Sequence, residues 1–226
     1  FQYKHNAGQE TRIDPSISNI VDIYMLERTY DNLFRIWLQD GGVKPLTSTS
    51  DQLRINYSGT LNPLKSLSDQ IVYHPVKYKI LFGANADEQL QATFKVVKNT
   101  KTNVTDAVIK TRVIAAVNEF FALDNWDFGD TFYFTELAAY VHNQLAPDLL
   151  TAVIVPNQSG QGFGSLFQIN SASDEIFISG ATVDDVTIIS ALGANQLSAS
   201  GTVVTATSTA TTNTTTGSSV SGSTTT

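Results

Sequence analysis

An α+β fold with mostly antiparallel strands, two or three packing helices and a disordered Thr/Ser-rich C-terminal tail is what these 226 residues predict. Three observations carry that expectation. In TDAVIKTRVIAAVNEFF, the side chains of Ile109, Val113, Val117 and Phe120 recur at steps of four, four and three. They therefore line one helical face, with Lys110, Arg112 and Glu119 off it. FTELAAYVHNQLAP repeats the pattern with Leu137, Val141 and Leu145 until Pro147, which cannot continue a helix, ends it. Around these two helices lie short runs of period two or of β-branched residues, which read as strands.

Taken in order, RIDPSISNIVDIYMLERTYDNLFRIWLQDGG opens with a strand from Ile20 to Leu26 and continues into a helix that Thr29 can cap. Tyr30, Leu33, Phe34, Trp37 and Leu38 form its apolar face, and Gly41 with Gly42 stops it. From Val43 to Ser68 the pattern weakens into a connector, with Thr49 and Gln52 at capping-box spacing before a short helical piece holding Leu53 and Tyr57. QIVYHPVKYKILF places Val72, Val76, Tyr78, Ile80 and Phe82 on one strand face, opposite Lys77 and Lys79. LQATFKVVK alternates again with Leu90, Ala92, Phe94 and Val96 inward, so these two runs are expected to pair as an antiparallel hairpin across GANADEQ. Pro75 then belongs at an edge or bulge. LLTAVIV, stopped by Pro156, reads as a buried strand, and SLFQIN, DEIFIS and VDDVTII as three more. Gly180 and Ala181 suit a type II′ turn between the last two.

After Asp185 there is no charged residue, and from Ser198 the chain is a Thr/Ser tract. Thr and Ser bury too little apolar area to offset ordering entropy, so disorder is expected, the alternative being an arm that adds a strand to a neighbouring subunit. Organisation follows as a strand-helix segment over residues 1–45, an α+β domain over 46–192 and the tail over 193–226. The chain begins at Phe1, with no Met and no signal-peptide pattern, which suggests the later part of a longer polypeptide.

Composition narrows the function. A formal net charge of −7 with no Lys/Arg cluster argues against nucleic acid, and no apolar run approaches the ~18 residues a membrane-spanning helix needs. The absence of Cys removes disulfides, thiol catalysis and Cys-based zinc sites. His5, His74 and His142 are the only histidines, none at helical spacing from another, so they read as packed or surface groups, and no metal or organic cofactor is expected. Asp124, Asp127 and Asp130 with Gly129 invite a calcium-loop reading, but Trp126, Phe128 and Thr135 occupy three positions where that loop needs ligands. They read instead as turn-capping acids. SGQGFGS lacks the G-x-G-x-x-G and Gly-Lys patterns of phosphate loops, and no Ser sits in G-x-S-x-G. The acidic pairs Asp174/Glu175 and Asp184/Asp185 read as solvated charges at strand starts that discourage edge aggregation. No catalytic residue and no small-molecule substrate is assigned.

The blocks RIDPSISNIVDIYML, YHPVKYKILFG, LQATFKVV, RVIAAVNEFFALDNWDFGDTFYFTELAAYVH and DEIFISGATVDDVTII, in that order, resemble the C-terminal half of the large baseplate wedge subunits of T-even-like contractile-tailed bacteriophages. More distantly they are similar to the baseplate-J-like family. The resemblance spans residues 1–192 and excludes the tail. It implies a structural virion protein of the viral tail baseplate, assembled in the host cytoplasm. Such a subunit self-associates, as a dimer within a larger ring, and contacts other wedge proteins around the tail hub. It implies no enzyme activity, no cofactor, no nucleic acid and no membrane.

Five rings, Trp126, Phe128, Phe132, Tyr133 and Phe134, fall within nine residues between two helices. If the chain runs extended from Thr131, Phe132 and Phe134 point one way and Thr131 and Tyr133 the other, so one core is not expected to take all five. Trp126, Phe128 and Tyr133 are accordingly the candidate protein-interface residues. A carbohydrate-binding or adhesin module using Trp126 and Tyr133 as sugar platforms stands as the alternative, and a hydrolase with a concave pocket of titratable groups as a further one.

Overall fold

A computed structural model describes residues 2–4, 20–61, 63, 70–157 and 168–189. The Thr/Ser tail and its expected disorder, the SGQGFGS segment and His5 lie outside the described residues. Among the described residues, ten strands and four helices run in the order β1 (Gln2–Lys4), β2 (Ile20–Met25), α1 (Arg28–Asp40), α2 (Ser50–Leu61), β3 (Gln70–Pro75), β4 (Lys77–Leu81), β5 (Ala92–Lys98), α3 (Asp106–Phe120), β6 (Thr131–Tyr133), α4 (Phe134–Leu145), β7 (Leu149–Pro156), β8 (Gln168–Asn170), β9 (Glu175–Ser179) and β10 (Val186–Ile189). The class is α+β, built from four small sheets ordered β1-β2-β3, β10-β5-β7, β4-β9 and β6-β8. Both pairing directions occur. β1·β2, β5·β7 and β6·β8 are antiparallel, whereas β2·β3, β10·β5 and β4·β9 are parallel.

The expected hairpin between β4 and β5 does not form. β5 has both edges taken, by β7 and β10, and β4 pairs instead with β9 from nearly a hundred residues away in sequence. The run QIVYHPVKYKILF is divided at Val76: β3 is an edge strand beside β2, with Pro75 at its last position where a missing N–H costs nothing, and β4 joins another sheet. Beyond β4, Phe82 takes a positive φ of 64° and Gly83 one of 69°, turning the chain away from a hairpin. The expected II′ turn at Gly180 and Ala181 is also replaced. β9 and β10 enter different sheets, and the link is a 3-10 turn over Val183–Asp185 closed by a capping box between Thr182 and Asp185.

Helix boundaries follow local chemistry. Thr105 caps α3 by accepting the Val108 N–H, and Ile109, Val113 and Val117 are buried as their spacing predicts, while Phe120 is half-buried. α4 buries Leu137, Val141 and Leu145 and ends ahead of Pro147. Thr29 does not cap α1, because the cap falls two residues earlier, at Glu27, which makes no side-chain bond. Gly41 does end it, donating its N–H to the Trp37 carbonyl at 2.9 Å. The connector is more ordered than expected, since α2 is a helix of 12 residues. Thr49 and Gln52 form the reciprocal capping box in front of it, Thr49 N–H to Gln52 Oε1 at 2.8 Å and Gln52 N–H to Thr49 Oγ1 at 3.3 Å.

Three apolar clusters hold these elements. The largest joins β5, α3, α4 and β7 with Phe82, Phe132, Phe134 and Phe177. The second seats Tyr30 and Phe34 of α1 on Tyr78 and Ile80 of β4 and Ile176 and Ile178 of β9, and includes Phe128. The third packs Leu53 of α2 against Ile23, Ile71 and Tyr73 of β2 and β3. Sheet β4-β9 is thus a septum, with Tyr78, Ile80, Ile176 and Ile178 on one face and Leu81 and Phe177 on the other. Each large side chain so buried contributes about 1.5–3 kcal/mol relative to exposure.

Candidate interface site

The aromatic turn lies where the first two clusters meet. α3 ends at Phe120, a 3-10 turn over Leu123–Asn125 comes next, and Trp126 then adopts an extended backbone. Its indole donates Nε1–H to the Phe120 carbonyl at 2.8 Å, lies parallel to Phe121 at 5.5 Å and 16°, and meets the edge of Phe177 at 5.2 Å. Trp126 is half-buried and touches both clusters. Phe128 is buried against the α1 side. Phe132 and Phe134 are buried in the other cluster, while Tyr133 between them stays 41% exposed. β6, paired with β8 through Phe132 opposite Ile169, gives the alternation that separates them, and α4 begins at Phe134.

One core does not take all the rings: two cores take four of them, and Tyr133 stays outside both. Phe128 goes to one, Phe132 and Phe134 to the other, and Trp126 spans them. Of the three candidate interface residues, Tyr133 alone offers its ring broadly to solvent. Sequence periodicity could not reveal this, because the second cluster is assembled by α1 and the β4-β9 pair from distant segments. For a sugar platform, one face of Trp126 is already covered by Phe121.

Two open clefts flank Trp126. One, of about 430 Å³, is bounded by Phe120, Trp126 and Tyr140 with Asp130 and Glu136. The other, of about 350 Å³, is bounded by Leu26, Trp126 and Phe128 with Asp124 and Asp127. Asp130 accepts the Asp127 N–H at 2.7 Å, the turn-capping role expected of these acids. No ion pair of the described residues includes Asp124, Asp127, Asp130 or Glu136. Carboxylates beside ring faces favour cationic groups by charge and by the ring quadrupole.

Elsewhere the acids behave differently. Asp174 and Glu175 are not merely solvated: Glu175 lies 3.4 Å from Lys79 and 3.5 Å from Lys77 across the parallel β4-β9 pair, and Asp174 lies 3.6 Å from Lys77. Burial acts to raise the Glu175 pKa, but the Ala172 N–H and the two ammonium groups outweigh it and hold the carboxyl below its ordinary value. On α1, Asp31 accepts from the Tyr78 hydroxyl at 2.5 Å and from Arg35 Nε at 2.6 Å, tying the helix to β4. Burial and that carboxylate push the Tyr78 hydroxyl far above its ordinary pKa.

His74 is hydrogen-bonded to Asp22 at 2.9 Å and stacks on Tyr24, and His142 has a buried Nδ1 with no partner among the described residues. Among the described residues no group of three or more His, Cys, Asp or Glu side chains is placed to hold a metal ion. None of their helices is long and apolar enough to cross a membrane. No protein-family model matches the chain, and no curated protein matches it.

Proposed function

We propose that the chain is a structural subunit of a contractile phage tail baseplate wedge, acting in the virion by self-association and by contacts to other wedge proteins around the tail hub, with no catalysis. Within the described residues, the blocks of the resemblance on which this rests take in β2, the end of β3 with β4, β5, most of the α3 to α4 unit, and β9 with β10. The observation that carries the assembly role is surface chemistry. Between α1 and α2, Val43 is 94% and Leu46 91% exposed, and Ile55 on α2 is 74% exposed. The three fall within a short span of sequence, and large apolar side chains left this exposed support a role in contacts between proteins. Sedimentation of the purified chain over a wide concentration range, and labelling of phage particles with an antibody to it, test the reading. Species larger than the monomer and label at the tail baseplate are expected; label absent from intact virions would sink the proposal.

A further inference from the structure

Every open sheet edge is a row of backbone N–H and C=O groups that can take a further strand, and folded chains guard such rows with charge, brevity or cover. β7 is the longest edge strand among the described residues, with eight residues and no charged one. β1, β4 and β9 carry Lys4, Lys77 with Lys79, and Glu175, while β6, β8 and β10 have three, three and four residues. Among the described elements, β5 along one edge and α4 on one face are those that pack extensively on β7, and Leu150 is 54% exposed. Tyr140 turns one flank of α4 to Phe120 of α3. The opposite flank, on the side of the open edge, holds Thr135, Ala138 and His142 and no Lys, Arg, Asp or Glu.

Ladder alternation fixes which groups are open. Asn157 donates its N–H to the Gln91 carbonyl at 3.0 Å, and antiparallel bonds alternate, so Val155, Val153 and Thr151 exchange bonds with Thr93, Lys95 and Val97. Ala152 and Ile154 therefore aim N–H and C=O away from β5, and Pro156, in the same outward set, has no N–H to satisfy. This row has a centre. The register passes from Thr151 opposite Val97 to Leu149 opposite Lys98, leaving Leu150 unopposed, and Leu150 and Pro156 each stand three residues from Val153. The regular part of the edge, residues 151–155, is thus symmetric about Val153.

We propose that the open edge of β7 pairs with β7 of a second copy of this chain, antiparallel about a two-fold axis at Val153, so that two three-stranded sheets become one. The proposal rests on the reading of the chain as a self-associating subunit and names the surface. Ala152 exchanges two hydrogen bonds with the partner's Ile154, Ile154 does the same with the partner's Ala152, and Val153 faces its own copy in a non-bonded pair. A second copy fits because an isologous contact requires a self-complementary edge, which the centring on Val153 supplies. Charge agrees: two chains of net charge −7 meet at β7 with no like charges opposed, whereas β4 paired with its own copy would bring its lysines together. Because the contact is uncharged and both copies are anionic, added salt screens their repulsion and does not weaken the pairing.

The chain has no cysteine, so one introduced thiol reports one position. A non-bonded antiparallel pair holds its Cα atoms about 4.5 Å apart, within the span a disulfide bridges. Val153→Cys in the full chain, treated with oxidised glutathione, is expected to form a covalent dimer roughly tenfold or more faster than Thr187→Cys, whose thiol lies at an exposed position on β10 of the same sheet. Amide exchange of the parent needs no substitution: the N–H groups of Ala152 and Ile154 are protected at high concentration and released on dilution, while those of Val153 and Val155 stay protected throughout. Ile154→Pro removes an outward N–H and no bond to β5, so in sedimentation velocity it associates roughly tenfold more weakly than the parent, and Ile154→Val does not. If Ile154→Pro does not melt cooperatively, the cross-linking and the parent's exchange decide. A parent that self-associates while Val153→Cys cross-links no faster than Thr187→Cys, or while the Ala152 and Ile154 amides exchange alike at every concentration, overturns the β7 contact and leaves the subunit reading standing. A parent that is monomeric at every concentration overturns both this contact and the self-association on which it rests.

Discussion

Trp126→Ala removes an indole that packs on Phe120, Phe121, Phe132 and Phe177 and takes from the Phe120 carbonyl the shorter of its two side-chain donors, leaving Asn125 Nδ2 at 3.5 Å. Because the ring is half-buried, the cost belongs near the low end for large aromatic deletions, roughly 3 kcal/mol, and thermal unfolding is expected several degrees lower. Tyr133→Ala, on an exposed ring one residue from buried neighbours, is expected to stay within about 0.5 kcal/mol of the parent. Tyr133 is therefore the cleaner probe of contact and Trp126 a probe of folding; equal melting temperatures for the two variants would contradict the packing described. At Glu175 the prediction concerns pH. Its folded pKa is depressed, so in acid the unfolded state binds the proton first and stability falls as pH drops through the carboxylate range. Stability measured from pH 7 down to pH 3 should fall less steeply in Glu175→Gln than in the parent, and an unchanged slope would deny that role to the Ala172 N–H, Lys79 and Lys77 together.

Between elements, the decisive contact is the crossing of the β4 and β9 ends. A Cβ on Gly83 would meet the Gly180 carbonyl oxygen at 1.9 Å, while the Gly180 N–H donates to the Leu81 carbonyl at 2.9 Å. Backbone stands against backbone there, and φ at Gly83 is positive, so Gly83→Ala is expected to cost on the order of 4 kcal/mol or more. Gly59, inside α2 with open space where a Cβ would go, has the opposite expectation: Gly59→Ala stabilises by about 0.5–1 kcal/mol because a helix-interior glycine gives up more backbone entropy than alanine. Urea titration of the two variants checks both signs. The Thr49 and Gln52 capping box was readable as a spacing; that it starts a helix of 12 residues and not a short piece depended on Leu53 finding Ile23, Ile71 and Tyr73.

At the scale of the whole molecule, α1 cannot be set apart from the sheets that come later in the chain. Tyr30 and Phe34 are buried on β4 and β9, and Asp31 bonds the Tyr78 hydroxyl, so a chain starting at Leu46 would expose that face of the septum. Such a truncation is expected to lose the cooperative thermal transition; a sharp transition near the parent's temperature would show that the remaining sheets fold without α1. The three helices with strong apolar faces, the strands from Leu149 and Glu175, the glycine stop of α1 and the capping box were legible in the sequence, because each depends on residues within a turn or two of one another. Strand partners were not. β4 chose β9 over its sequence neighbour because β5 was occupied on both edges and the chain turned away at Phe82 and Gly83, and neither condition leaves a local mark. For the same reason periodicity could say that Phe132 and Tyr133 face opposite ways, but only the tertiary structure, by building a second core from α1, β4 and β9, decided that Phe128 is buried, that Trp126 is shared between cores, and that the carboxylates around it have no cationic partner among the described residues.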